Sequence, residues 1–223
     1  MAKQEIREQR KQQALRKKRN QQVLIIIVVV VAVFAAGIFV LPELAKPVVR
    51  EHPTANANGI GDPNAPVIME DFSDFSCGHC RDFFLEKEGR IIEDYVETGK
   101  VYYIYRTYVN SQVSQLAAEG AYCAADENKF WDFHDAIFNN PGDLQKDYLM
   151  RIAEAIGLDT AAFETCLDDS TYRTVVLNDI SLGQGYGVQG TPSFIINGKF
   201  IEGNQDYEVF VAAIEEALAE AEE

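Results

Sequence analysis

The pattern of apolar residues in this 223-residue chain predicts an α/β fold: a small mixed sheet covered on both faces, an all-helical domain inserted into it, and one transmembrane helix ahead of both. Three observations carry the prediction. A strand-helix-strand unit leads into a long run of helical patterns without a strand; a β-hairpin and a closing helix then return to the sheet; and one stretch near the amino end is apolar for 19 residues.

Residues 1–22 form a basic arm. The first 19 residues carry eight basic side chains (Lys3, Arg7, Arg10, Lys11, Arg16, Lys17, Lys18, Arg19) against Glu5 and Glu8, a local charge of +6; with −15 overall, the remainder carries −21. So acidic a body argues against nucleic acid as a partner. Val23 to Leu41 is uncharged, and at roughly 1.5 Å per residue its 19 residues span about 28 Å, enough to cross a bilayer. Interfacial Lys and Arg stay on the cytoplasmic side, which places the amino end inside and everything after Pro42 outside. A cleaved signal peptide shares the basic front and apolar stretch. The length of the stretch and the exit sequence Phe39-Val40-Leu41-Pro42-Glu43, which has no small-x-small site, favour a retained anchor.

Residues 42–66 read as a linker, because Pro42, Pro47, Pro53, Pro63 and Pro66 are five of the seven prolines in the chain. Val67 to Phe72 is a short strand, apolar on both faces and so central. A helical pattern follows through Phe83, Phe84, Ile91, Ile92, Tyr95 and Val96 and ends near Gly99, and Val101 to Tyr105 is the second strand. Residues 67–110 and 187–223 make the sheet domain.

The inserted domain, 111–186, shows helical patterns around Leu116, Tyr122 and Cys123; around Phe130, Phe133, His134, Ile137 and Phe138; from Leu144 to Ile156 with Asp143 as cap; around Phe163, Cys166 and Leu167 with Asp159 or Thr160 as cap; and around Val175, Val176, Ile180 and Leu182. Ser193 to Ile196 and Lys199 to Ile201 flank Asn197-Gly198, the pair suited to a two-residue type I′ hairpin. Asp206 caps a closing helix with Val209, Phe210, Ala213, Ile214 and Leu218 on one face.

All four cysteines follow the apolar stretch, in a compartment where disulfides form and turn over. Cys77-Gly78-His79-Cys80 has a spacing shared by zinc sites, but zinc normally takes four ligands, and what remains is Cys123, Cys166 and three scattered histidines. A static disulfide is the other bland reading. A pair opening a helix is suited to exchange: unpaired backbone N–H groups and the helix dipole favour the thiolate of Cys77. Cys77 is then the attacking sulfur and Cys80, one turn deeper, the resolving one. Between them Gly78 adds looseness, and a protonated His79 can hydrogen-bond toward Cys77. Asp71, six residues upstream, is a candidate proton relay to Cys80 if its strand is buried; Glu70 competes for that role, and a solvent-facing Asp71 would have none. Thr191-Pro192, just before a strand, marks a turn.

Phe72-Ser-Asp-Phe-Ser-Cys77-Gly-His-Cys80, Lys129-Phe-Trp-Asp-Phe-His134 and Gly187-Val-Gln-Gly-Thr-Pro192-Ser-Phe-Ile-Ile-Asn-Gly198, in that order, resemble the DsbA-like branch of the thioredoxin superfamily over about residues 62–219. The resemblance implies a thioredoxin-like fold with its helical insertion, a cis Pro192 beside Cys77, Thr191 positioned to pair with an extended substrate, and an acidic residue at the position of Asp71 behind the pair. It implies dithiol oxidation of exported bacterial proteins, or a closely related exchange, through Cys77 and Cys80, with exported protein thiols as substrates and a membrane redox partner. The apolar stretch is expected to hold the catalytic domain at the outer side of the cell membrane, and no cofactor and a monomeric state are expected. Gly78, where the family often has Pro, makes the motif resemble that of eukaryotic protein disulfide isomerases, which leaves oxidase, reductase and isomerase activities less separable. A redox-inactive, membrane-anchored binding adapter is the alternative of another class. Phe130, Trp131 and His134 read as packing residues. Cys123 and Cys166 are candidates for a structural disulfide, with two free thiols or a second redox relay as the other states.

Overall fold

The computed structural model describes residues 55–109 and 111–222, together with Arg50, His52 and positions 16, 17, 21 and 22. The predicted membrane span and most of the predicted arm and linker lie outside the described residues. Among the described residues no helix is long and apolar enough to cross a membrane.

Six strands form one sheet in the order β1-β2-β4-β3-β5-β6. They are β1 (Ala55–Asn56), β2 (Gly59–Ile60), β3 (Val67–Ser73), β4 (Val101–Thr107), β5 (Ser193–Ile196) and β6 (Lys199–Glu202). β3 is central as its sequence predicts, parallel to β4 with Asp71 opposite Tyr105, and antiparallel to β5 with Asp71 opposite Phe194. Asn197 and Gly198 both take positive φ, 44° and 87°, which is what a tight β5-β6 hairpin demands.

One prediction needs correcting at the sheet edge. Residues 55–60, assigned to the linker, form the β1-β2 hairpin, and β2 pairs antiparallel with β4. Two-residue strands leave no periodicity to read, and the local density of proline masked them. Arg50 and His52 likewise pack onto the folded body and are more than spacing.

Helix α1 begins at Gly78–Phe83 and continues without a break through a π-helical turn (Phe84–Glu88), an α-helical turn (Gly89–Ile91) and a second π-helical turn (Ile92–Val96). The inserted domain contributes α2 (Gln112–Ala125), α3 (Phe130–Asn139), α4 (Lys146–Ala155), α5 (Thr160–Asp168) and α6 (Arg173–Tyr186), and α7 (Tyr207–Ala221) closes the chain. Asp159 caps α5 by accepting from Ala161 N and Ala162 N. Asp143 does not cap α4: it accepts from Gln145 N in a turn that holds Leu144 at φ 55°, and the helix starts only at Lys146. Asp206 occupies the cap position of α7 without a side-chain cap bond.

On the sheet face that carries Asp71, Phe83 of α1, Phe194 of β5 and Phe210 of α7 meet with ring centroids 4.5 to 5.4 Å apart. Each is about fully buried, a transfer gain of roughly 1.5–3 kcal/mol per side chain. Next to them α3 sets Phe130, Trp131, His134 and Phe138 around Tyr105. The opposite face is covered by a smaller cluster of Phe72, Val188 and Ile195 with Tyr108, and by Asp179 of α6, which accepts from Arg106 and Thr107 of β4. Cys123 of α2 and Cys166 of α5 are joined in a disulfide, Cα atoms 6.0 Å apart.

Candidate active site

β3 ends at Ser73, and the chain turns on Asp74, whose carboxylate accepts from the backbone and hydroxyl of Ser76 while its carbonyl accepts from Cys77 N. The turn delivers Cys77 as the N-cap of α1 with extended backbone (φ −83°, ψ 122°), so its sulfur faces the free N–H groups of the first helical turn. Cys77 is half-buried and Cys80 is 2% exposed; both are free thiols. A hydrogen bond from Cys80 is the largest cause that pulls the Cys77 thiol down to about 5; partial burial opposes it, and hydrogen bonds from Thr191 and from the backbone N–H groups of Cys80 and His79 add to it. Cys80 moves the other way, far above the ordinary thiol range, because burial, its hydrogen bond to Cys77 and the nearby charges of Asp71 and Cys77 all resist a second anion. One sulfur is thus an anion at neutral pH and its neighbour a proton-bearing thiol.

Of the two residues between the sulfurs, only His79 differs from expectation. Gly78 is in open space, where an added Cβ would meet nothing within 4 Å, so no steric demand requires glycine there. The imidazole of His79, 81% exposed, turns outward to Asp82 (Nδ1 to Oδ2 3.9 Å) and not toward Cys77. What His79 supplies to the thiolate is its backbone N–H.

Thr191-Pro192 is a cis peptide bond, and it brings Thr191 O to 3.3 Å from Cys77 Sγ. Ser193 Oγ and Gly203 N hold the turn by donating to Gly190 O and Pro192 O.

Asp71 lies beneath the pair, 1% exposed, accepting from Ser73 Oγ and from Tyr103 OH at 2.6 Å. Burial is the main cause that raises its carboxyl to about 7; the charges of Glu88 and Cys77 add to the rise and the two hydrogen bonds oppose it. Glu70 projects to the other face, where Arg106 binds it at 2.8 and 2.9 Å. Of the two carboxylates weighed from sequence, only Asp71 faces the sulfurs.

Sequence reasoning missed the polar groups behind Asp71. Tyr103 and Tyr105 are fully buried on the inward face of β4, whose alternating burial was the available signal. Glu88 of α1 and His134 and Asp135 of α3 converge nearby from positions remote in sequence, and Arg50 reaches them from outside the sheet. Glu88, His134 and Asp135 have the donor types of a cation site, but the Arg50 guanidinium already contacts both carboxylates, at 2.7 and 3.3 Å. Phe130 and Trp131 are core residues, Trp131 Nε1 donating to Gly59 O.

Comparison with known proteins agrees with this geometry. The family model described as thioredoxin matches residues 54–216. Disulfide bond formation protein D of Bacillus subtilis is 27% identical, covering 71% of this chain and 76% of its own. The crystal structure of oxidised BdbD from Bacillus subtilis superposes with a TM-score of 0.68 at 26% identity, over 78% of this chain and 99% of that one. That of Wolbachia pipientis α-DsbA1 does so with 0.66 at 28% identity, over 81% and 96%. A Na(+)/H(+) antiporter NhaA 3 of Salinispora tropica is 31% identical over 72% of this chain, which spans only 24% of that longer protein. The chain therefore belongs to the thioredoxin family, carries a redox-type cysteine pair, and is similar in fold to the BdbD and DsbA proteins.

Proposed function

We propose that this oxidoreductase works as a dithiol oxidase of exported proteins, held at the outer side of a bacterial cell membrane by residues 23–41. The observation that carries the direction is the opposed ionisation of the two cysteines, Cys77 drawn down to about 5 while Cys80 is held as a thiol. A stabilised Cys77 anion favours the reduced form of the pair and makes it the better leaving group, so the oxidised pair is the more oxidising.

In the proposed cycle a substrate thiolate attacks Cys77 Sγ of the Cys77–Cys80 disulfide. The S–S bond breaks, the leaving Cys80 sulfur takes a proton from Asp71, and a mixed disulfide remains. A second substrate thiolate attacks the substrate sulfur of that bond, forms the substrate disulfide and releases Cys77 as thiolate. Two electrons have then passed to the cysteine pair, and a membrane redox partner removes them. The carbonyl of Thr191, held by cis Pro192 beside Cys77, offers a backbone acceptor for an extended substrate segment.

The reduction potential tests the direction. A value well above that of thioredoxin, about −270 mV, and toward the −120 mV typical of strong oxidants is expected; a thioredoxin-like value would reassign the protein as a reductase. Cys77→Ser must abolish thiol oxidation, and retained oxidation would leave an adapter role. Mixed disulfides captured by Cys80→Ala identify the clients.

A further inference from the structure

Asp71, read above as the proton partner of Cys80, is 1% exposed and Cys80 2%, so a proton held between them has a route to water either past the half-buried Cys77 or through the groups packed behind Asp71. Tyr103 OH lies 2.6 Å from Asp71 Oδ2 and 3.4 Å from Glu88 Oε2, between two carboxylates that are each 1% exposed. Glu88 Oε2 in turn faces His134 Nε2 at 3.6 Å, a fully buried ring nitrogen with no hydrogen-bond partner among the described residues. The other ring nitrogen, Nδ1, is 3.0 Å from Asp135 Oδ1. Asp135 Oδ2 is met by His52 Nε2 at 3.5 Å and by Arg50. Arg50, its side chain 30% exposed, lines an open cleft with Glu93 and Glu97, both exposed carboxylates; the His52 side chain, 4% exposed, borders that cleft with both ring nitrogens buried.

We propose that Tyr103, Glu88, His134 and Asp135 form a proton pathway that leads from Asp71 to the edge of the cleft beside Arg50. This rests on the reading of Asp71 as the proton partner of Cys80. The order of donors and acceptors fits a relay. Protonated Asp71 donates to the Tyr103 oxygen as Tyr103 passes its own proton to Glu88. Glu88 then donates to the open Nε2 of His134, whose Nδ1 proton moves toward Asp135 and the cleft. Reversing each transfer refills Asp71 when Cys80 leaves as a thiolate. The groups facing Asp71 are Cys77, Cys80 and Glu88 from α1 and its continuation, Ser73 from its own strand, and Tyr103 and Tyr105 from β4. Arg50 keeps Glu88 and Asp135 compatible with burial by pairing with each.

The reduced full chain, mixed with an aromatic disulfide whose released thiolate absorbs visible light, separates the steps. The Cys77 thiolate attacks first, giving a mixed disulfide and one aromatic thiolate. Cys80 then attacks Cys77 and releases the second aromatic thiolate, and the Cys80 proton leaves through Asp71 to a pH-indicator dye. Tyr103→Phe and Glu88→Gln are expected to leave the first phase unchanged, to slow the second about tenfold, and to make proton release lag behind it. The unchanged first phase doubles as the folding control, and Tyr103→Phe keeps the test open if Glu88→Gln loses its Arg50 pair and unfolds. A local hydrogen-bonding role for Tyr103 would shift the pH midpoint of the second phase with no lag in proton release. Wild-type second-phase rates and synchronous proton release in both variants, with Asp71→Asn slow, would overturn the pathway alone. An Asp71→Asn variant as fast as wild type would overturn the Asp71 reading on which the pathway rests.

Discussion

Replacing Asp71 by Asn should stabilise the folded protein at alkaline pH and leave it unchanged in acid. The carboxyl rises from 3.8 to about 7 on folding, chiefly through burial. About three pKa units at 1.36 kcal/mol each give roughly 4 kcal/mol, and a side chain 1% exposed calls for no discount for solvent screening. The sign follows from the raised folded value: the folded state holds a proton that the unfolded chain releases, so this contribution is fully present below about pH 4, is lost as pH rises to about 7, and stays lost above. Asn removes the charge while keeping an acceptor for Tyr103 OH, which donates to Asp71 at 2.6 Å. The assay is urea unfolding of the oxidised protein, in which the Cys77 thiolate, a contributor to the Asp71 shift, is absent; the gain at pH 8 is therefore expected between about 2 and 4 kcal/mol. A variant no more stable than wild type at pH 8, or equally more stable at pH 4 and pH 8, would refute the reasoning.

His79→Ala is expected to move the Cys77 ionisation by less than about half a pKa unit, since the imidazole is turned to Asp82 and the backbone N–H is retained; thiolate absorbance against pH measures it. Replacing Cys123 and Cys166 together with Ala opens a cross-link spanning 43 residues and should cost about 4 kcal/mol of stability in the chain-entropy estimate, read by urea unfolding with the 77–80 pair held in one redox state.

The strand-to-helix turn that presents Cys77 was legible because β-type and helical periodicity meet there, and the β5-β6 hairpin because Asn-Gly tolerates the positive φ its turn needs. Asp159 announced α5 through the same local chemistry. The local pattern left the choice between Glu70 and Asp71 open, and only the family resemblance pointed to Asp71: adjacent residues on a central strand face opposite layers, both layers are filled, and the seating of α1 decides which side holds the sulfurs. Glu88, His134, Asp135 and Arg50 come from three separate segments, so their meeting is a product of packing and leaves no mark on local pattern. The orientation of His79 is a rotamer choice of an exposed side chain, which turns toward Asp82 three residues on.

The most direct test is the ultraviolet titration of the Cys77 thiolate in the reduced protein, with Cys80→Ala read alongside to remove the neighbouring thiol. A midpoint near 5 is expected in the wild type, rising toward the ordinary thiol range when the Cys80 hydrogen bond is lost. Wild-type ionisation at the free-cysteine value of about 8.5 would contradict a thiolate held by the start of α1 and, with it, the exchange chemistry assigned to this site.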